Sequence, residues 1–409
     1  MSVNRKQELK RELVELLRLD PEAVAQRLRQ QYDCAVGTPA KSIVLCGASF
    51  AGKVALSGLR SIGIEPLAFA DNNPLLWGKS VEGLRVLSPA EAADTFRNKA
   101  IFVVTIYNGA RVKAQMESFG GCTAVPFTAL FFKYSNIFLP HLNLELPFAM
   151  FSQAAKVERA FELWADDESR AEYIAQLKYI TSLDSAVTPP PLPAEDTYFP
   201  PDLVECRNDE VFVDCGAFDG DTLQDFLKRC GGSFENAVAI EPDPDTHRRL
   251  NHYIASAPAT MRERIQTHAV AVGATDGMVA FQAHGTGYSK ITAGEGTTQV
   301  ECASLDTLLA GNKPTYIKMD IEGAEVDALN GARSILAKGT AVLAVCNHHS
   351  LDDLWRVPLA IHDLSGGRYR LYLRRYAEDC WETMCYGIPP ARAIKREEIL
   401  EAEPVAVDR

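Results

Sequence analysis

The sequence predicts an α/β chain built on two open, mainly parallel sheets, and three observations carry that prediction. The stretch VFVDCGAFDGDT, Val211 to Thr222, is a short apolar run ending at a carboxylate, then two glycines, then the periodic run LQDFLKRC. That is a strand, a tight turn and a helix in immediate succession. The stretch KSIVLCGASFAGKVALSGLRSIGIEPLAFAD, residues 41–71, sets out a strand–turn–helix–strand order earlier in the chain. After residue 211 the apolar runs AVAIEP, YIKMD and AVLAVCN alternate with helical stretches, as buried parallel strands do.

Bulk properties narrow the class. At 409 residues the chain is long enough for two or three domains. Its 47% hydrophobic and 23% charged content are those of an ordinary globular protein. The net charge of −12 argues against nucleic-acid binding. Ten cysteines without CxxC or other paired spacing argue against a zinc site and a disulfide framework. The amino terminus is amphipathic and charged rather than a leader, and no apolar run reaches the ~18 residues of a membrane span. The expected setting is the reducing cytoplasm, and the oligomeric state is left open.

Taken in order, residues 1–40 form a helical arm. Leu9, Leu13, Leu16 and Leu17 recur at helical spacing, and Asp20-Pro21 opens a second helix ending near Gly37. The apolar stripe is read as packing on its own chain rather than on a partner. Residues 41–135 form the first α/β domain. Ile43 to Cys46 make a strand, Gly47 to Gly52 a turn, Lys53 to Ser61 a helix and Leu67 to Ala70 a second strand. This is a Rossmann-like unit that ends at Asp71, placed to hydrogen-bond a ribose hydroxyl. Ser49 stands where the second fingerprint glycine belongs, so a ligand-free scaffold is an equal reading. Ala100 to Ile106 and Cys122 to Pro126 supply further buried strands.

Residues 136–197 connect the two domains. A helical stretch, Met150 to Leu183, precedes AVTPPPLPAEDTYFPP, a stiff Pro-rich spacer. The second domain spans residues 198–390, with Tyr198-Phe199 placed either to cap a ligand site or to close the core. Its strands are read at Val211, at Ala237 to Pro242, at IQTHAVAV, and at the pair MVAFQAH and TTQVECASL bridged by HGTGYSKITAGEG. YIKMDIEG, AVLAVCN and a closing antiparallel pair, YRLYLRRYAE with WETMCYGIP, follow. Residues 391–409 are a charged tail.

Charge decides the ligand of the loop after Val211. Asp214, Asp219 and Asp221 would repel a pyrophosphate but suit an ammonium or sulfonium, so the loop reads as a site for S-adenosylmethionine. Gly216 and Gly220 admit close backbone approach, and Asp221 and Thr222 sit at the helix N-cap. Glu241 ends the next strand, placed to accept both ribose hydroxyls. The expected donor site is Tyr198, Asp214, Gly216, Ala217, Phe218, Asp219, Gly220, Asp221, Thr222, Glu241 and Asp320. Asp320 ends the YIKM strand. Glu322 and Glu325 are read as opening the next helix, where carboxylates favour the positive helix end. Cys346-Asn347-His348-His349 ends the fifth strand. Methyl transfer to a hydroxyl needs a proton acceptor, and His349 is the expected general base, with Asp320 orienting acceptor or donor. Cys346 reads as structural. Asp320 and Glu322 are also donors of the kind a divalent cation takes, and no metal set is assigned.

VFVDCGAFDGDT, AIEPDP, ASLDTLL and IKMDIEGAEVDALNGA together resemble the FkbM family of S-adenosylmethionine-dependent methyltransferases, over residues 198 to 390. The resemblance implies a class I methyltransferase fold, a seven-stranded sheet with inserted strands, and O-methylation of a sugar, glycan or related small-molecule hydroxyl. It carries the donor loop onto Asp214, Gly216 and Gly220, the ribose acid onto Glu241, and a DxEGxE element onto Asp320, Glu322, Gly323 and Glu325. HHSLDDLW is similar to a YHxxxDLW element of one branch, with His348 in place of the tyrosine and His349 aligned. Residues 41 to about 105 resemble the amino-terminal domains of sugar-modifying acyltransferases and related enzymes, which implies nucleotide or nucleotide-sugar binding. A donor-binding sensor without activity and a nucleotide-sugar-modifying enzyme are the alternatives.

Overall fold

The computed structural model describes residues 2–37, 42–283, 289–291, 298–378 and 380–394. Two helices, Ser2–Leu17 and Pro21–Val36, come first. The second starts where it does because the Asp20 carboxylate accepts from Ala23 N at 3.1 Å and Pro21 presets the first turn. Leu9 and Leu13, 2% and 1% exposed, pack into the core of the second domain, while Val24, Leu28 and Tyr32 pack into the first. The arm therefore fastens both domains together. Leu13→Ala should lower stability by about 2–5 kcal/mol in urea unfolding, as a core leucine does, whereas a free arm would give almost no change.

The first sheet contains β1 (Ser42–Cys46), β2 (Ala68–Ala70), β3 (Ser80–Val81), β4 (Leu84–Leu87), β5 (Ala100–Val104) and β6 (Thr123–Pro126) in the order β3-β4-β2-β1-β5-β6. All neighbours are parallel except β3 and β4. The helix after β1 begins at Phe50 rather than Lys53. Its early start brings Gly52 against the turn, where a Cβ would lie 2.0 Å from the Gly47 carbonyl oxygen.

The second domain has β7 (Val211–Cys215), β8 (Asn236–Ile240), β9 (Ile265–His268), β10 (Ala271–Val272), β11 (Gly277–Gln282), β12 (Lys290–Ile291), β13 (Thr298–Ala303), β14 (Tyr316–Met319), β15 (Val342–Cys346), β16 (Arg370–Arg375) and β17 (Thr383–Ile388). Seven of them form one sheet, β16-β17-β15-β14-β7-β8-β9, in which only β17 runs against its neighbours. The other four make a small sheet, β10-β13-β11-β12. IQTHAVAV is thus two strands rather than one: β9 stays in the large sheet, and Ala271–Val272 turns away to pair with β13.

Three further expectations shift. Met150 to Leu183 is three helices, Phe148–Ser152, Ala154–Leu163 and Asp167–Ser182, the last capped by the Asp166 carboxylate accepting from Ser169 N at 2.8 Å. The helix after β14 begins at Glu325, because Glu322 (φ 55°) and Gly323 (φ 100°) are left-handed and cannot continue a right-handed helix. The helix after β7 is capped by left-handed Gly220, with Asp221 already its first residue. Most of HGTGYSKITAGEG and residues 395–409 of the tail lie outside the described residues.

The domains meet at the carboxyl end of the first sheet. Tyr107 packs edge-on against Trp381 at 4.8 Å between ring centroids, and Glu378 N donates to Asn108 Oδ1 at 2.8 Å. The hairpin joining β16 to β17 therefore touches the first domain on one side and the crevice of the second on the other.

Candidate active site

The carboxyl ends of β7, β8 and β14 open into a cavity of about 830 Å³. Parallel strands put their last residues and following turns on one edge, so Gly216, Glu241 and Asp320 arrive together although they are far apart in sequence. Among the expected donor residues, Tyr198, Gly216, Phe218, Asp221, Thr222, Glu241 and Asp320 line the cavity. Asp214, Ala217, Asp219 and Gly220 do not. Ala217 is in the core, and Asp219 faces Arg249 at 4.0 Å. Gly220 closes the turn against Tyr253.

Asp214 works from behind the loop. It is fully buried within β7, and its Oδ1 lies 3.0 Å from Nζ of Lys318 on the adjacent strand β14. Burial pushes its carboxyl up to about 6, and the Lys318 ammonium keeps it from rising further. Lys318 Nζ also donates to the Gly216 carbonyl oxygen at 2.7 Å, so the pair fixes the turn that a donor would touch. The turn has no room to spare: Gly216 has φ 76°, and a Cβ there would lie 1.8 Å from the Asp320 carbonyl oxygen.

Glu241 is 6% exposed, and both oxygens are held by the backbone. Oε2 accepts from Phe218 N at 2.9 Å and Oε1 from Asp243 N at 2.8 Å. Burial raises its pKa and these N–H groups oppose the rise. Each carboxylate oxygen has two lone pairs, so both can still accept from a diol. Across the cavity Tyr198 OH donates to Asp320 Oδ2 at 2.6 Å, and its ring sits under the Lys318 ammonium at 5.1 Å.

His349 is held differently from the expected neutral base. Its side chain is 7% exposed, with Nδ1 2.9 Å from Glu325 Oε1 and Nε2 3.3 Å from Asp320 Oδ1. Burial opposes a charged ring, but Glu325 and Asp320 outweigh it and hold the pKa well above 6.5. In turn Asp320, although burial works against its charge, is held well below the usual carboxylate range by His349 and Lys318. The two carboxylates favour the imidazolium, and both ring nitrogens of His349 already face them. Asp320, Glu325 and His349 bring one ligand atom each within 4.8 Å, but the bridging imidazolium already supplies the positive charge that a divalent cation would bring. This geometry gives the cation no support. His348 lies in the core, its Nδ1 3.1 Å from the Thr383 carbonyl oxygen, with its pKa pushed down to about 4 by burial and by His349. Cys346 is fully buried and packs in the core.

Several cavity residues escaped the sequence reading, Lys318 and Glu382 among them. Lys318 left a signal, a lysine alone among apolar residues of a buried strand. Glu382, just before β17, left none. In the first domain, Asp71 Oδ2 accepts from Ala48 N in the turn after β1 and Oδ1 from Asn73 N in its own loop, each at 2.8 Å.

A seven-stranded sheet with one reversed strand, a glycine turn under the first strand end and an acid at the second define a class I S-adenosylmethionine-dependent methyltransferase. Residues 214–377, most of the second domain, match the methyltransferase FkbM domain. A methyltransferase FkbM from Methylobacillus flagellatus KT has the same fold, at 21% identity and a TM-score of 0.70. The match covers 90% of this chain and all of that one, so both domains share the architecture. Weaker likenesses include the methyltransferase domain of bacterial CtHen1, at 14% identity over 44% of this chain and 91% of that one, with a TM-score of 0.29. Fibrillarin from Aeropyrum pernix, solved with natively bound S-adenosyl-L-methionine, is 10% identical over 48% and 73%, also with a TM-score of 0.29. No curated protein matches the chain. Among the described residues no helix is long and apolar enough to cross a membrane.

Proposed function

We propose that this methyltransferase O-methylates a hydroxyl of a sugar, glycan or related small-molecule acceptor. The observation that carries the reading is the cavity lining: among the described residues, Glu195, Asp221, Asp225, Glu241, Asp320, Glu322 and Glu382 stand against a single lysine, itself tied to Asp214. S-adenosylmethionine, when bound, supplies an electrophilic methyl on a sulfonium. The carboxylates suit its positive charges, and beyond the donor turn they accept hydrogen bonds from neutral hydroxyls while repelling a phosphate. Asp320 and Tyr198 hold one another at the point where donor side and acceptor side meet, which favours alignment of an incoming hydroxyl.

Labelled methyl transfer to a panel of neutral glycosides and matching sugar phosphates tests the acceptor class. Transfer to the phosphates alone would overturn it. Glu241→Ala leaves two donor hydroxyls unpaired in a closed site and should weaken S-adenosylmethionine binding by about 1–3 kcal/mol in calorimetry. Unchanged affinity would remove Glu241 from the donor site. For residues 41–135 the reading is a scaffold that positions the β16–β17 hairpin, which Tyr107 and Asn108 contact directly. A thermal shift with nucleotide sugars would favour ligand binding instead.

A further inference from the structure

With both ring nitrogens of His349 facing carboxylates and Asp320 held between His349 and Tyr198, neither group proposed from the sequence is open to take the acceptor's proton. Glu382 is free. It lines the same cavity as Asp320 and Tyr198, and its carboxylate has no hydrogen-bond or ion-pair partner among the described residues. Its backbone is left-handed, φ 48°, two residues after Cys380 at φ 62°. These two non-glycine residues shape the connection between β16 and β17. They direct Glu382 inward where Trp381 beside it packs outward on Tyr107. The sheet order places it suitably. Glu241 follows β8 and Gly216 follows β7, so the donor lies over that side, while Glu382 enters from β17, beyond β14 and β15. An acceptor between them has the methyl on one side and this carboxylate on the other.

We infer that Glu382 is the general base of the methyl transfer, an inference that rests on the O-methylation reading. As the acceptor oxygen forms its bond to the methyl carbon, the C–S bond breaks and its electron pair stays on sulfur. The hydroxyl proton passes to the Glu382 carboxylate and from there to solvent. The charged groups that face it are Asp320 and Lys318 from β14 and its end, His349 from the end of β15 and Asp221 from the first turn after β7. Burial first, and then Asp320, raise its pKa to about 7, which suits a base that must be ionised yet still basic near neutrality.

The test needs no known acceptor. The full chain is titrated calorimetrically from pH 5.5 to 8.5 with two probes. One is S-adenosylhomocysteine. The other is a donor analogue carrying a protonated amine on carbon where the sulfonium methyl stands. Ionised Glu382 attracts the amine, so the affinity ratio of amine analogue to S-adenosylhomocysteine should rise about tenfold from pH 6 to pH 8. Glu382→Gln should flatten that rise and keep S-adenosylhomocysteine affinity within about twofold, a retained fold and donor site that a merely structural role would not give. The proposal is overturned if the rise persists in Glu382→Gln, since the base is then another group. If S-adenosylhomocysteine fails to bind wild-type protein, the donor-site reading falls and takes this assignment with it.

Discussion

His349→Ala is expected to lower unfolding stability by about 3–5 kcal/mol, a penalty typical of stranding buried charge rather than of losing a catalytic group. Glu325 is 1% exposed, and Asp320 is tied to the same ring, so removal of the imidazolium leaves two carboxylates facing one another without the cation between them, Lys318 being already paired with Asp214. The pH dependence has a definite sign. A histidine whose folded pKa is raised above its ordinary 6.5 contributes full stability below that value and loses the contribution only as pH climbs through the raised folded pKa. The wild-type advantage over His349→Ala should therefore be present at pH 6 and persist at pH 7. Urea unfolding of both proteins at the two values measures it. A deficit under about 1 kcal/mol at both would mean that the ring is not the cation of the cluster. Because that cation is organic, a chelator should leave donor binding unchanged.

The donor side was legible because it is written along the chain. A strand end, its turn and the next helix start are consecutive residues, so Val211 to Thr222 announced the local geometry. Of the three aspartates behind the charge reading, only Asp221 lines the cavity, Asp214 being paired with Lys318 and Asp219 facing Arg249. Glu241 and Asp320 were legible for a related reason: parallel strands deliver their carboxyl ends to one edge regardless of what lies between. The acceptor side was not, because it depends on which strand lies beside which. Lys318 meets Asp214 only through the β7–β14 pairing, and Glu382 reaches the cavity only because β17 inserts between β15 and β16. His349 was placed correctly at the end of its strand, yet its charge depends on Glu325, which a left-handed pair at Glu322 and Gly323 swings into reach before the helix begins. For Asp71 the fingerprint gave the position, but the two backbone hydrogen bonds it accepts come from loop conformations that no motif specifies.

Lys318→Met should be as costly as His349→Ala, and its rescue separates charge from packing. The lysine is 2% exposed and Asp214 fully buried, so the single variant leaves an uncompensated carboxylate in the core, at a cost of about 3–5 kcal/mol. Methionine fills nearly the volume of the lysine stem, so little of that cost should come from a cavity. Adding Asp214→Asn removes the stranded charge and should restore more than half of the lost stability in urea unfolding. Donor binding should not return with it. Lys318 Nζ donates to the Gly216 carbonyl oxygen, and without that bond the turn at φ 76° loses the clamp that aims it into the cavity. Calorimetry with S-adenosylmethionine should then show at least about tenfold weaker binding in both variants, the equivalent of one charge-assisted hydrogen bond. A double variant no more stable than Lys318→Met would place the cost in packing rather than in charge. Full recovery of donor affinity in the double variant would show that the turn holds its shape without the lysine.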